Sequence, residues 1–316
     1  MLYIMAYLLP LFLIILSGGK FIKFIRKINF GQQIREYGPE EHLKKSGIPT
    51  MGGLLIIGIF LILSMIFAEL NIKTTAVLAV TFLMSLTGFL DDFLKIKLER
   101  SLGLRAWQKI ILQIVAALIP AIIITYLMET PPLMVPFLGN FQLNPLLRFL
   151  LTLFVVIGSS NAVNLTDGLD GLAASVTAVV SLSFAVIFYL TNNLDLMIMM
   201  IIMTGSCTAF LWYNANPAQI FMGDVGSLGI GGFLAASAVL SGTELYLLII
   251  GFIYVMETVS VMIQVPYYKI TGGKRIFRMT PIHHHFELKG IAENKIVFRF
   301  AIITIIFSLL ALLSLF

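Results

Sequence analysis

Asp91, Asp92, Asp167, Asp170 and Asp224 all adjoin long apolar runs, where bilayer helices normally carry no charge. A charge at the bilayer centre costs at least about 2.5–3.5 kcal/mol on insertion scales, so ionisable groups kept beside spans point to function. A further cluster, His283–His284–His285, lies in a basic segment near the C-terminus. Carboxylates, basic residues and imidazoles gathered at one membrane surface suit chemistry on a phosphorylated, lipid-linked substrate.

Each group has its own chemistry. Asp91 and Asp92 are expected at the C-terminal end of the third apolar helix. Anions there oppose the helix macrodipole, and neighbouring carboxylates repel unless a cation intervenes. One can bind a metal or take a proton while the other orients. Asn161, Asn164, Asp167 and Asp170 recur every third residue. On a helix they form one polar stripe; the alternative is a polar turn between helices. Asp224, flanked by Gly223 and Val225-Gly226, precedes an apolar helix. It suits an N-cap or a Mg²⁺ ligand, since Mg²⁺ is commonly held by one or two carboxylates plus substrate phosphates.

The basic segment 271–290 contains the three histidines but no cysteine, and His42 is the remaining histidine, so phosphate or nucleotide contact fits better than zinc. An interfacial segment holding anionic lipid is the plainer alternative. Lys45 precedes the glycine-rich stretch Gly47-Ile-Pro-Thr-Met-Gly-Gly53, which lacks the Walker pattern. Glu257 falls inside an apolar run, with Ser260 or Gln264 as its expected partner.

The elements that must position these groups are membrane helices. Hydrophobic residues make up 59% of the 316 and charged residues only 12%, and the mean hydropathy is +0.99. A soluble chain carries about 25% charged residues. The apolar runs are continuous, which excludes a β-barrel and predicts an all-α polytopic membrane protein in a single domain, 1–316. Ten spans are expected: 2–19, 51–68, 74–90, 109–128, 145–161, 171–190, 195–212, 226–241, 245–265 and 296–316. The first reads as a retained helix, since no basic region precedes it. Segment 129–144, rich in Pro and Gly, permits a small hairpin.

Of the 21 Lys and Arg residues, all but Lys73 and Arg148 fall in segments 20–50, 91–109 and 266–299. With ten spans these segments share one side, which the positive-inside rule makes cytoplasmic. Both termini are then outside, and every polar cluster reaches the cytoplasmic face. The net charge of +5 follows from this bias, so nucleic-acid binding is not needed to explain it.

Pro49-Thr-Met-Gly-Gly53, Asp91-Asp92, Asn161-Ala-Val-Asn-Leu-Thr-Asp-Gly-Leu-Asp-Gly171, Phe221-Met-Gly-Asp-Val-Gly-Ser227 and Pro281-Ile-His-His-His-Phe-Glu287 occur in order along nearly the whole chain. Together they resemble the phospho-N-acetylmuramoyl-pentapeptide transferase family of the polyprenyl-phosphate N-acetylhexosamine-1-phosphate transferases. The triple-histidine motif is similar to that branch in particular. The chain departs from the family at Ile48, where Thr is usual, and at Ile291, where Trp is common.

The resemblance implies ten transmembrane helices in the bacterial cytoplasmic membrane, a cytoplasmic cleft, Mg²⁺ and a homodimer. It also implies transfer of phospho-MurNAc-pentapeptide from UDP-MurNAc-pentapeptide to undecaprenyl phosphate, releasing UMP. By the same resemblance Asp224 is the Mg²⁺ ligand, and Asp91 is the base or nucleophile with Asp92 beside it. Lys45, Thr50, Asn161, Asn164, Asp167, Asp170, Phe221, His283, His284 and His285 are substrate contacts. A sister transferase using UDP-GlcNAc is one competing reading. A transporter for an anionic solute is another, disfavoured because the carboxylates lie at the membrane edge and no repeat is evident.

Overall fold

Long apolar stretches in lipid must satisfy their own backbone hydrogen bonds, and this chain does so with helices. The computed structural model describes residues 1–27, 47–98, 100 and 102–316. Its helices are α1 (Leu2–Lys27), α2 (Gly53–Phe67), α3 (Ile72–Lys97), α4 (Ala106–Ile122, continued by a π turn to Leu127), α5 (Pro145–Thr166) and α6 (Leu172–Leu190). They are followed by α7 (Leu194–Asn214), α8 (Gly223–Ser241), α9 (Glu244–Ile250), α10 (Phe252–Ile270), α11 (Ile282–Glu287) and α12 (Glu293–Leu313). Local signals set several ends. Asn71 accepts from the N–H groups of Lys73 and Thr74 to start α3. Asn144 accepts from Leu147 N–H at 2.8 Å, with Pro145 in the first turn of α5.

Among the described residues, eight helices are long and apolar enough to cross a membrane. The chain is an all-α polytopic membrane protein, with one small hairpin at 133–141. Two of the ten expected spans need correction. The segment expected over 51–68 is a helix of 15 residues, shorter than the roughly 20 that cross a bilayer. The segment expected over 245–265 is broken at Gly251 into α9 and α10, bent by 82°.

The hairpin expected in 129–144 is present: β1 (Leu133–Val135) pairs antiparallel with β2 (Gly139–Phe141), Leu133 opposite Phe141. Met134 N–H also donates to Gly242 O at 2.8 Å, which docks the hairpin on the α8–α9 turn. Beside that turn Arg148 of α5, a residue the charge pattern treats as a surface marker, is buried against Glu244 of α9 and donates to Val239 O at 2.8 Å.

Helix α8 is the central element, buried along almost its whole length and packed against α3 on one side and α5 on another. The α3 contact is close because α3 has no side chain at Gly88. A Cβ there would lie 2.1 Å from Asp224 O. Small residues let helix backbones approach in this way. The contact sits at the end of the bundle opposite the hairpin, and it brings Asp92 to Asp224.

Candidate active site

Helix α3 continues through Asp91 and Asp92 to Lys97, so the pair lies inside the helix rather than at its end. Lys95, one turn further on, shares their face. Its Nζ lies 2.6 Å from Asp91, 3.3 Å from Asp92 and 3.1 Å from Asp224. Lys109, in the first turn of α4, reaches the same Asp224 Oδ2 at 2.8 Å. Two ammonium groups thus hold three carboxylates whose ligand atoms lie within 4.8 Å of one another.

The remaining oxygens are held as well. Asp91 Oδ1 accepts from Leu104 N–H at 2.8 Å, and Asp92 Oδ2 from Val225 N–H at 3.3 Å. Asn164 Nδ2 donates to Asp224 Oδ1 at 2.8 Å and to Ser227 Oγ at 2.9 Å. Asp224 is not an N-cap: Met222 takes that position, and no side chain caps the helix. The carboxylate points to the lysines instead.

Thr50 reaches this cluster through backbone pairing. Phe221 N–H donates to Pro49 O at 2.9 Å, Gly52 N–H to Phe221 O at 2.8 Å and Gly53 N–H to Met222 O at 2.8 Å. These bonds lay the segment before α2 along the segment before α8. Where they meet, Gly223 has φ +76°, and a Cβ there would lie 2.6 Å from Asp92 Oδ2 and 2.8 Å from Thr50 Oγ1. Any side chain would push into the carboxylate cluster, so the position suits glycine.

The expected four-residue polar stripe divides. Helix α5 ends at Thr166, so Asn161 and Asn164 are helical while Asp167 and Asp170 lie in the turn that follows. Asn164 alone binds Asp224. Asn161 pairs its amide with Gln113 of α4, donating at 2.8 Å and accepting at 3.3 Å. Asp167 faces the cluster: burial, then the charges of Asp224 and Asp92, raise its carboxyl well above the usual range, and Gly223 N–H opposes the shift. Asp170 Oδ2 accepts from Ala218 N–H at 3.0 Å and Asn216 Nδ2 at 3.2 Å, which ties the α7–α8 loop to the turn.

The three histidines take separate partners. His283 is fully buried, its Nδ1 3.1 Å from Glu257 Oε1. His284 Nδ1 lies 2.6 Å from Glu287. His285 Nδ1 accepts from Arg278 N–H at 3.1 Å; partial burial, Lys289 and Arg278 lower its pKa. The Glu257 carboxylate therefore faces a histidine rather than the Ser260 or Gln264 side chain. The Gln264 side chain instead accepts from Ile276 N–H and Phe277 N–H, shaping the basic loop. Lys45 lies outside the described residues. Lys95 was readable from its spacing to Asp91, whereas Lys109, Gln113, Ser227 and the Glu257–His283 pair carried no local signal.

A site of acidic oxygens and ammonium groups beside a membrane surface suits the handling of phosphates. The family model for glycosyl transferase family 4 matches residues 74–242. The first signature of phospho-N-acetylmuramoyl-pentapeptide-transferase matches residues 45–57. A phospho-N-acetylmuramoyl-pentapeptide-transferase of Carboxydothermus hydrogenoformans is 44% identical over 313 residues, covering 96% of each chain. That of Desulforamulus reducens is 44% identical over 304 residues, 94% of this chain and 91% of the relative. That of Rickettsia felis is 43% identical, covering 98% and 92%.

The chain belongs to the phospho-N-acetylmuramoyl-pentapeptide-transferase family. As a member of it, the protein is a transferase. The glycosyl transferase family 4 match contains Asp91, Asp92, Asn164, Asp167 and Asp224, and the signature contains Lys45 and Thr50. The histidine segment lies beyond both.

Proposed function

We propose that this protein transfers phospho-MurNAc-pentapeptide from UDP-MurNAc-pentapeptide to undecaprenyl phosphate, giving lipid I and UMP for peptidoglycan synthesis. The observation that carries the chemistry is the convergence of Asp91, Asp92 and Asp224 with Lys95 and Lys109 at one end of the bundle. Family membership supports the choice of donor and acceptor.

In the reaction an oxygen of the acceptor phosphate bonds to the sugar-linked phosphorus of the donor. The bond from that phosphorus to the bridging oxygen breaks, and the electron pair leaves with UMP. Phosphoryl transfer depends on positioning and charge neutralisation more than on covalent machinery. Lys95 and Lys109 are placed to meet the negative charge of the pyrophosphate. Asn164 fixes Asp224 from the opposite side, and Gly223 lets the backbone approach without obstruction.

The donor set of three carboxylates fits Mg²⁺, a hard cation that prefers oxygen. Asp224 would hold it, with Asp91 and Asp92 alongside; when bound, the ion supplies further neutralisation of phosphate charge. The acceptor's second pKa is near 6, so it is largely dianionic at neutral pH. Asp91 has only to orient it or take a residual proton.

The same reading has a cytoplasm-facing cleft, both termini outside and a homodimer in the bacterial cytoplasmic membrane. The bias of basic residues toward the site end of the bundle supports the orientation. Single cysteines at Asn140 and Lys289, in a Cys207→Ser background, should label from opposite sides; labelling of both from outside would overturn this orientation.

The donor is tested with purified protein, undecaprenyl phosphate and a panel of UDP-sugars. The expected result is lipid product from UDP-MurNAc-pentapeptide and none from UDP-GlcNAc. The reverse pattern would move the chain to the sister reaction.

A further inference from the structure

Glu257 has no part in the phosphate chemistry, yet it is a fully buried carboxylate on α10, on the site side of the break at Gly251. Both of its oxygens face one residue. Oε1 lies 3.1 Å from His283 Nδ1, and Oε2 accepts from His283 N–H at 3.4 Å. The ring contact is close but not aligned as a hydrogen bond, and neither ring nitrogen of His283 has an aligned partner among the described residues. Close packing, rather than a directed bond to the ring, holds the imidazole.

The far side of the ring rests on the turn after α5. A Cβ built on Gly168 would lie 2.2 Å from His283 Nε2 and 2.5 Å from Cε1. The φ of Gly168 is not in the left-handed region, so glycine is needed there for room rather than for conformation. Asp167, the next residue back, faces Asp224, Asp92 and Gly223 N–H. A continuous path of contacts therefore runs from Glu257 through the His283 ring and the Asp167–Gly168 turn to the start of α8.

The geometry points to Glu257 as a positioning residue that acts through His283 on the Asp167–Gly168 turn, and so sets where Asp167 stands beside the carboxylate cluster. His283, expected from the family resemblance to contact substrate, serves in this arrangement as a packed spacer between α10 and the catalytic turn. The inference rests on the proposed transferase reaction only for its readout. Coupling along such a path is established by non-additive variants, not by spatial continuity alone.

The test is a double-variant cycle on the purified full chain, assayed with UDP-MurNAc-pentapeptide, undecaprenyl phosphate and Mg²⁺. Glu257→Gln and His283→Gln should each lower kcat on the order of 10–100-fold, the usual cost of a misplaced catalytic geometry. The donor KM should stay within about threefold, because binding is not what the brace controls. The double variant should be no slower than the slower single variant. A control cycle pairing Glu257→Gln with His285→Gln should multiply.

Gly168→Ala should also lower kcat, and should cost nothing further in a His283→Ala background, where the added methyl group has room. Multiplying effects in the Glu257–His283 cycle, or near-normal kcat for Glu257→Gln, would overturn the inference. If Glu257→Gln does not yield monodisperse protein, Glu257→Asp takes its place in the cycle under the same criteria. Should wild-type protein make no product from this donor, the substrate assignment fails by itself, and the cycle is run with the UDP-sugar that is turned over.

Discussion

Lys109 Nζ lies 2.8 Å from Asp224 Oδ2, linking the first turn of α4 to the first turn of α8. Lys95 reaches the same oxygen at 3.1 Å. A divalent cation held at Asp224 would compete with two ammonium groups for the negative charge of this carboxylate. Lys109→Gln removes one competitor and one source of phosphate neutralisation. The expected outcome is a kcat lower by on the order of 10²-fold, with tighter apparent Mg²⁺ binding in a rate-against-Mg²⁺ titration. Weaker Mg²⁺ binding in the variant would contradict competition between Lys109 and the ion at Asp224.

Asp167 gives a pH prediction with a defined sign. Burial and the charges of Asp224 and Asp92 raise its pKa in the fold. The folded protein then holds this proton to higher pH than the unfolded chain, so ionisation opposes folding. The penalty is absent below the ordinary aspartate pKa of 3.8. It grows as pH rises above that value and levels off once the folded group is ionised. Asp167→Asn should thus raise the thermal midpoint at pH 8 and leave it nearly unchanged at pH 4, while activity falls. A stabilisation that shrinks as pH rises would show the opposite linkage.

At the other end of the bundle, Arg148 and Glu244 form a pair that is almost wholly removed from solvent. Removing one partner leaves a buried charge unmet, which costs about 3–5 kcal/mol, whereas replacing both with apolar groups is often neutral. Glu244→Leu should lower the unfolding midpoint sharply, and Arg148→Met with Glu244→Leu should recover most of it. Specific activity of the folded fraction should be unchanged in all three variants, because the hairpin end is remote from Asp224. Equal destabilisation in the single and double variants would make the pair a net contributor.

The sequence revealed the helices because each long apolar run has to bond its own backbone. It revealed the carboxylates because charges beside such runs are rare. What it concealed were the breaks and the long-range partners. Gly251 reads as one more small residue in an apolar run, yet the chain bends by 82° there.

The regular three-residue spacing from Asn161 to Asp170 suggested a single face, but α5 ends at Thr166 and, of the four, Asn164 is the one that hydrogen-bonds Asp224. Asn161 is spent on Gln113, 48 residues away in sequence. Lys95 was within reach of local reasoning, being one turn from Asp91. Lys109 was not, since its approach to Asp224 depends on how α3, α4 and α8 pack. Arg148 illustrates the same limit: as a lone basic residue it marks a side of the membrane, while in the fold its charge is buried against Glu244.

The environment of Asp91 bears on whether the reaction proceeds by one displacement or two. An attacking carboxylate needs a free oxygen directed at phosphorus. Asp91 Oδ1 accepts from Leu104 N–H at 2.8 Å, and Oδ2 lies 2.6 Å from Lys95 Nζ. Both oxygens are thus held, and a phosphorylated Asp91 would bring a new dianion against Asp92 and Asp224. The acceptor phosphate, already largely ionised at neutral pH, needs no such intermediate. Direct attack by the lipid phosphate, with Asp91 orienting it, is the expected course. Asp91→Asn should retain donor binding and lose most turnover. The deciding measurement is exchange of labelled UMP into the UDP-linked donor by enzyme stripped of lipid. Direct attack requires no exchange until undecaprenyl phosphate is added. Exchange at the rate of turnover without acceptor would require a covalent enzyme intermediate and would exclude the single displacement.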